Sequence, residues 1–264
     1  IAKNILKNNH KLYVVANKNR KSIDKIVNDG AEEIKSLEEF SNKNLDALFM
    51  CVTNTPIAKS ISEKMTKFLN SKTIVIDITT HNKTGSIETE NIYKLNNINY
   101  IECPVMGGPV QAEEGVLGGI VGGSETNFKL AEPYLKLFCK DYFYFGSVGM
   151  GAKSKLLNNF LSLGNGVLIN HLAKTAKELG LDLKKVFDVA KLGSGNSAAL
   201  NRVFDNLLKD DYTGFKFTAS NSVKDLTYIQ DLLKYFPEAE KVAEVNKNYS
   251  NEVTHRHAPH PHEK

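Results

Sequence analysis

The sequence predicts an α/β domain with a doubly wound parallel sheet, followed by an all-α domain entered through one long helix. Three observations carry that expectation. In the first half, short and wholly apolar runs alternate with helical segments, the pattern of parallel strands covered on both faces. Around Gly146 this rhythm stops. From Ala152 onward apolar residues recur only at helical spacing, with no convincing strand.

The elements follow in order. Residues 1–9 read as helix, with Ile1, Ile5 and Leu6 on one face. LYVVA (12–16) is a short apolar strand. SIDKIVNDG is helical again and ends at Gly30, a normal helix cap. ALFMCV (47–52) is a buried strand, and Pro56 opens a helix in its first turn. TIVIDI (73–78) is a strand, and a helix leads from it to the strand NINYIECPV (97–105). Right-handed crossovers between such strands close naturally into a doubly wound sheet. After a glycine-rich turn comes KLLNNFLSLGNGVLINHLAKTAKELG, roughly twenty-five residues or about 37 Å of helix. Apolar residues on several of its faces predict burial through a domain centre. Three more helices follow in LDLKKVFDVAKLG, SAALNRVFDNLLK and SVKDLTYIQDLLKYF. The expected domains are 1–148 and 149–253. Residues 254–264, with four histidines and two prolines in eleven residues, read as a disordered tail.

Composition narrows the function classes. The chain has 264 residues, 41% hydrophobic and 24% charged, which is globular composition. Thirty acidic residues offset thirty-four basic ones, so charge makes no case for nucleic acid or a membrane surface. Cys51, Cys103 and Cys139 are an odd number and two lie in apolar runs, so they read as thiols in a reducing, cytoplasmic setting. No Cys or His spacing suits zinc, and no metal site is expected. No apolar run is long enough to span a membrane.

Four segments could carry chemistry. In GSVGMGAKSKLLNN (146–159), Lys155, Asn158 and Asn159 fall three and four residues apart, on one helical face. A partly desolvated lysine has its charged form disfavoured and can exchange a proton near neutral pH. A lysine snorkelling from a domain boundary, beside two solvated amides, would look the same. In ECPVMGGP (102–109), a strand exits into Met106, Gly107 and Gly108. Ligands of doubly wound sheets sit beyond strand carboxyl ends, and bare glycines expose backbone N–H groups that could hold a carboxylate. A turn with no ligand remains open. ANKNR (16–20) ends the second strand of what would be a dinucleotide fold. The absence of an acid there, with Lys18 and Arg20 present, suits a 2′-phosphate, or is simply a solvated basic turn. KDL (224–226) alone reads as a surface ion pair.

Taken together, these segments resemble the β-hydroxyacid dehydrogenase family, from Ile1 to about Gln230. The order and spacing of separate motifs make the likeness more specific than any one of them. The resemblance implies a Rossmann-like cofactor domain, a helical substrate and dimerisation domain, and NADP as cofactor, with NAD possible. In the family a Gly-x-Gly-x-x-Gly loop precedes a helix like IAKNILKNNH, so the loop and its strand are expected upstream of Ile1 and the chain reads as N-terminally truncated. Asn17, Lys18 and Asn19 match the family's Asn-Arg-Thr. CVTNTP (51–56) matches the loop over the cofactor, which places Val52 and Thr53 beside it. DITT (77–80) implies that Thr80 contacts the nicotinamide side. ECPVMGGP matches the substrate loop, and KSKLLNNF (153–160) the catalytic helix. Lys155 takes the catalytic lysine position and Asn159 the substrate-orienting asparagine, with Asn158 beside it. GSGNSAAL (193–200) matches a pocket-side helix start. Lys224 matches a lysine that reaches the cofactor.

Met106 stands where the family usually has serine. Losing one hydrogen bond to a charged substrate costs roughly 1.5–3 kcal/mol of binding if nothing replaces it. The expectation is therefore an NADP-preferring oxidoreductase interconverting a small β-hydroxy acid and its semialdehyde or keto acid. Lys155 would stand in an interdomain cleft. The partners expected are that small molecule and a second copy, in a homodimer or homotetramer. Two rivals stand beside this reading. One is a dehydrogenase-like binding module without turnover. The other is an imine reductase, a group that generally lacks the lysine.

Overall fold

The computed structural model describes residues 1–15, 20–211, 214 and 217–256, the side chains of 219 and 253–256 excepted. The chain divides into two compact units, Ile1–Lys155 and Leu156–Lys264. The division falls inside the long helix, seven residues beyond the 148/149 boundary expected above. The reason is physical: the helix's first turn is bonded to the first unit, as described below.

The first unit alternates helix and strand: α1 (Ala2–Lys7), β1 (Tyr13–Val15), α2 (Arg20–Asn28), β2 (Glu32–Ile34) and a 3-10 turn at Leu37–Asn42. Then come β3 (Ala47–Met50), α3 (Thr55–Met65), β4 (Ile74–Asp77), α4 (Gly85–Lys94) and β5 (Asn99–Glu102). It closes with β6 (Val105–Met106), α5 (Pro109–Glu114), β7 (Leu117–Val121), α6 (Glu125–Leu135) and β8 (Cys139–Tyr144). Strands β3, β4 and β5 run parallel, with Met50 opposite Asp77 and Asp77 opposite Glu102. All four residues of β4 are buried. Successive strand side chains point to opposite faces, so Ile74 and Ile76 join one core with Ile101, Val121 and Phe138. Val75 joins a second, with Tyr93, Tyr100 and Val148. A strand between two cores buries both of its faces, which is why the IVI of TIVIDI carries no alternation, while the buried Asp77 at its end is satisfied by hydrogen bonds.

Parallel pairing extends to β1 with β2 and to β7 with β8. One pair departs from the expected all-parallel order: β6 runs antiparallel to β7, with Val105 opposite Gly119 and Met106 opposite Gly118. An antiparallel bridge joins Glu102 to Gly122. Only the ten residues 107–116 separate these strands, short for a parallel crossover. The segment reverses direction instead across α5, with Gly107 at φ 114° before the helix and Gly115 at φ 76° capping it, conformations that favour glycine.

α7 (Met150–Glu178) leads into the second unit. It is followed by α8 (Leu183–Lys191), α9 (Ala198–Leu207), α10 (Ala219–Leu233) and α11 (Pro237–Arg256). Asp182, Ser197 and Thr218 cap α8, α9 and α10, their side chains accepting from Lys185, Leu200 and Asn221 N–H. One apolar cluster gathers Ile169, Ala173, Phe187, Leu200 and Val203, and another gathers Leu156, Leu226, Ile229 and Ala243. Among the described residues no strand follows Tyr144. α11 carries the backbone of 254–256, the first three residues of the expected tail, as helix. Residues 257–264 lie outside the described residues.

Candidate active site

The site is built outward from the start of α7. Gly146 and Gly149, at φ 94° and 96°, turn the chain out of the sheet into the helix. A helix's first N–H groups have no partner inside it. Here the buried carboxylate of Glu102, from the end of β5, supplies one. Its Oε1 accepts from Gly149 N at 2.6 Å and Gly151 N at 2.9 Å, and its Oε2 from Ala152 N at 3.2 Å. A Cβ on Gly122 would stand 2.3 Å from Glu102 Oε1, so a glycine is required where the carboxylate passes. Burial pushes the Glu102 carboxyl above its ordinary value, against the pull of the backbone donors.

One turn further along, Lys155 is 9% exposed. Its Nζ donates to Val105 O at 2.8 Å and meets Met106 Sδ at 3.3 Å. The expected catalytic lysine and the expected substrate loop are therefore in contact. The sulfur occupies a place where a serine hydroxyl was the family expectation, and thioether sulfur is a weak acceptor. Gly107 and Gly108 follow directly. The Gly108 N–H already donates to Gln111 Oε1 at 2.9 Å, in the cap of α5. A carboxylate taking that donor has to displace Gln111.

Val52, Thr53 and Thr80 lie at neighbouring strand ends. β3 and β4 are adjacent and parallel, so the loops after Met50 and Asp77 emerge at one edge of the sheet. Val52 N donates to Thr79 Oγ1 at 3.3 Å, tying the loops together. Thr53 is exposed, and Val52 and Thr80 are half-buried. This edge fits the nicotinamide side of a dinucleotide: accessible backbone and hydroxyls at strand carboxyl ends, two strands wide. Asn17, Lys18 and Asn19 lie outside the described residues. Arg20, which follows them, is engaged by Asp24 at 2.7 Å and by Glu33.

In the second unit, Asn159 is buried and its Nδ2 donates to Asp225 Oδ2 at 2.7 Å. Lys224 Nζ forms an ion pair with Asp225 Oδ1 at 2.9 Å and stands 5.4 Å from the Tyr228 ring centroid. Asp225 is 2% exposed and Lys224 half-buried, so the carboxylate end of this pair lies below the surface that KDL alone suggests. Asn158 is half-buried, and its buried Nδ2 has no hydrogen-bond partner among the described residues. Residue pattern alone points to neither Glu102 nor Asp225. The first opens ECPVMGGP and the second stands in the middle of KDL, and the partners that give each its role lie 50 and 66 residues away in the chain.

Two family models divide the chain. Residues 1–146 match the NAD-binding domain of 6-phosphogluconate dehydrogenase. Residues 149–260 match the NAD-binding of NADP-dependent 3-hydroxyisobutyrate dehydrogenase. The chain belongs to the β-hydroxyacid dehydrogenase family. The second match continues thirty residues past Gln230, where the sequence resemblance was expected to fade, and α11 lies within that stretch. An uncharacterized oxidoreductase of Synechocystis is 25% identical over 242 residues, 90% of this chain and 82% of its own. A mitochondrial 3-hydroxyisobutyrate dehydrogenase of Drosophila melanogaster is 26% identical over 74% of this chain, which spans 60% of that relative. In fold, the chain is similar to Mycobacterium tuberculosis 3-hydroxyisobutyrate dehydrogenase solved with L-serine. The TM-score is 0.84 at 18% identity, over 97% of this chain and 90% of that one.

Proposed function

We propose that this β-hydroxyacid dehydrogenase family member is an NADP-preferring oxidoreductase that interconverts a small β-hydroxy acid and its semialdehyde or keto acid. One observation carries the reading. Lys155 is buried at the start of α7, fixed by the Glu102 anchor, with its Nζ on the loop that leads into Gly107 and Gly108. When bound, the nicotinamide cofactor supplies the hydride chemistry. In oxidation, Lys155 Nζ takes the proton from the substrate hydroxyl. In reduction it returns a proton to the oxygen of the carbonyl as negative charge develops there. Gly107 and Gly108 receive the substrate carboxylate, Gln111 giving way at Gly108. Asn159 orients the substrate oxygen, its amide held by Asp225, and Lys224 serves the cofactor. Met106 supplies bulk and a weak acceptor in place of a hydroxyl, which favours acids whose carbon next to the carboxylate is apolar. The test is NADPH oxidation by the protein in its native sequence context, across a panel of small semialdehyde and keto acids, with a cyclic imine as counter-substrate. Turnover of an acid and not of the imine supports the reading; no turnover of any acid overturns it.

The NADP preference rests on Lys18, in a position where the family carries a basic residue, and on the absence of an acid beside it. Lys18→Asp is expected to move the NADPH-to-NADH ratio of kcat/KM towards NADH by about tenfold, since a basic residue there accommodates the 2′-phosphate and an acidic one the bare ribose. An unchanged ratio makes Lys18 a surface charge.

We extend the proposal to a homodimer or homotetramer. Leu157, Leu161, Leu168 and Leu172 on α7 are between 39% and 68% exposed. Their spacing of four, seven and four residues keeps them on one stripe. Leu161→Glu with Leu168→Glu is expected to yield monomers in analytical ultracentrifugation while circular dichroism is unchanged. A parent that sediments as a monomer contradicts the assembly. The three free thiols, Cys51, Cys103 and Cys139, support a cytoplasmic setting. No helix among the described residues is long and apolar enough to cross a membrane.

A further inference from the structure

A second buried polar cluster lies beside the Glu102 anchor, at the carboxyl end of β4. Asp77, wholly buried, sits at its centre and opposite Glu102 across the β4–β5 pair. Asp77 Oδ1 accepts from Thr79 N at 2.9 Å. Its Oδ2 accepts from Tyr100 OH at 3.0 Å and lies 2.7 Å from His81 Nε2. His81 is 1% exposed, and its Nδ1 stands 3.1 Å from Thr55 Oγ1. Thr55 Oγ1 in turn accepts from Asn82 N at 3.2 Å. With the imidazole proton on Nε2, every donor in this web faces an acceptor. Asn82 donates to Thr55, Thr55 to His81 Nδ1, and His81 and Tyr100 to Asp77. A buried network satisfied throughout is rigid.

The web spans two loops. Thr55 opens α3 and follows Val52 and Thr53, while His81 directly follows Thr80. The Val52–Thr79 bond also ties these loops together. α4 closes against the web, for a Cβ on Gly85 would fall 2.5 Å from Thr55 Cγ2. We propose that His81 is a positioning residue: by bridging Asp77 to Thr55 it fixes the β3–α3 loop against the β4–α4 loop, preorganising Val52, Thr53 and Thr80 for the nicotinamide side of the cofactor. This rests on the functional reading above. His81 touches neither substrate nor cofactor. It acts through the separation of the loops on either side of it, and small displacements of positioned groups have large effects on binding and rate.

The experiment compares Thr55→Val, which removes the hydroxyl at equal size, with Thr55→Ser, which keeps it, and with His81→Gln. Ile101→Val, a core change elsewhere in the same sheet, controls for lost stability. Two readouts are used: NADPH affinity by fluorescence titration, and hydrogen–deuterium exchange of the peptide carrying Thr79–Asn82 in the absence of cofactor. Thr55→Val and His81→Gln are expected to weaken NADPH binding about fivefold, the factor that one net hydrogen bond corresponds to. Both are expected to speed exchange at 79–82. Thr55→Ser is expected to restore both. Ile101→Val is expected to lower the melting temperature and leave affinity as in the parent. Parent-like affinity in Thr55→Val overturns the inference, as does an equal loss in Ile101→Val. A parent that binds neither NADPH nor NADH overturns the functional reading, and this inference with it.

Discussion

Lys155→Met is expected to lower turnover by about 10²–10⁴-fold, the usual contribution of a positioned general acid or base. Methionine keeps the length and apolar stem of the lysine, so the packing around α7 is retained. What is lost is the proton and the bond to Val105 O. NADPH affinity is expected to stay within about twofold, because a group that acts on the substrate oxygen contributes to the transition state rather than to cofactor binding. Steady-state kinetics with a fluorescence titration of the same preparation separates the two. A variant that turns over like the parent removes Lys155 from the mechanism. A variant that loses NADPH affinity in step with turnover makes Lys155 a structural residue.

Glu102 produces the second large effect, through stability as well as rate. Glu102→Ala removes the acceptor of three backbone N–H groups in a buried place. Leaving even two of them unpaired costs about 2–6 kcal/mol. Frayed at its first turn, α7 no longer holds Lys155 on the substrate loop, so turnover is expected to fall further than the melting temperature alone explains. Glu102→Gln keeps one acceptor oxygen and is the milder change, suited to a pH test. Burial raises the folded-state value of the Glu102 carboxyl above its ordinary 4.5. A folded protein that holds this proton more tightly than the unfolded chain loses stability as pH rises. The loss begins near pH 4.5 and ends above the raised value. The parent's melting temperature is therefore expected to carry a downward contribution across that window, which Glu102→Gln lacks. Superimposable pH profiles for parent and Glu102→Gln would contradict the assignment.

What the sequence disclosed and what it hid follow from range. β3, β4 and β5 were legible because their runs of consecutive apolar residues, such as the IVI of TIVIDI, show no polar alternation, the buried Asp77 and Glu102 coming only at the strand ends. The long helix was legible because Gly146–Gly151 punctuate its start and Gly180 its end. β2 and β8 were missed for the opposite reason. β2 is EEI, with its first residue exposed, and β8 is CKDYFY, with four of six residues exposed, so neither shows an apolar run. α6 carries an internal Pro133, which argues against a helix unless tertiary packing overrides it. The reversal at β6 was hidden because a parallel expectation extends by default from the strands before it.

The site shows the same division. Lys155, Gly107 and Gly108 were found because each belongs to a local pattern. The partners of Lys155 lie some fifty residues back in the chain, and Glu102 reaches its farthest partner across the same distance. No window on the sequence joins these segments. His81 was invisible for a related reason. A histidine four residues after an aspartate becomes a buried pair only once Thr55, from the preceding strand's loop, closes on the other side of the ring.

The most direct measurement is amine rescue of Lys155→Ala. The truncated side chain leaves space beside Val105 and Met106, and NADPH-dependent reduction of the best substrate is followed with and without added small alkylamines. If Lys155 Nζ is the proton donor, turnover of the variant rises with amine concentration and tracks amine basicity, while the parent is unaffected. Turnover by Lys155→Ala equal to the parent's without amine would contradict the account, as would a variant that no amine restores although it binds NADPH and substrate normally.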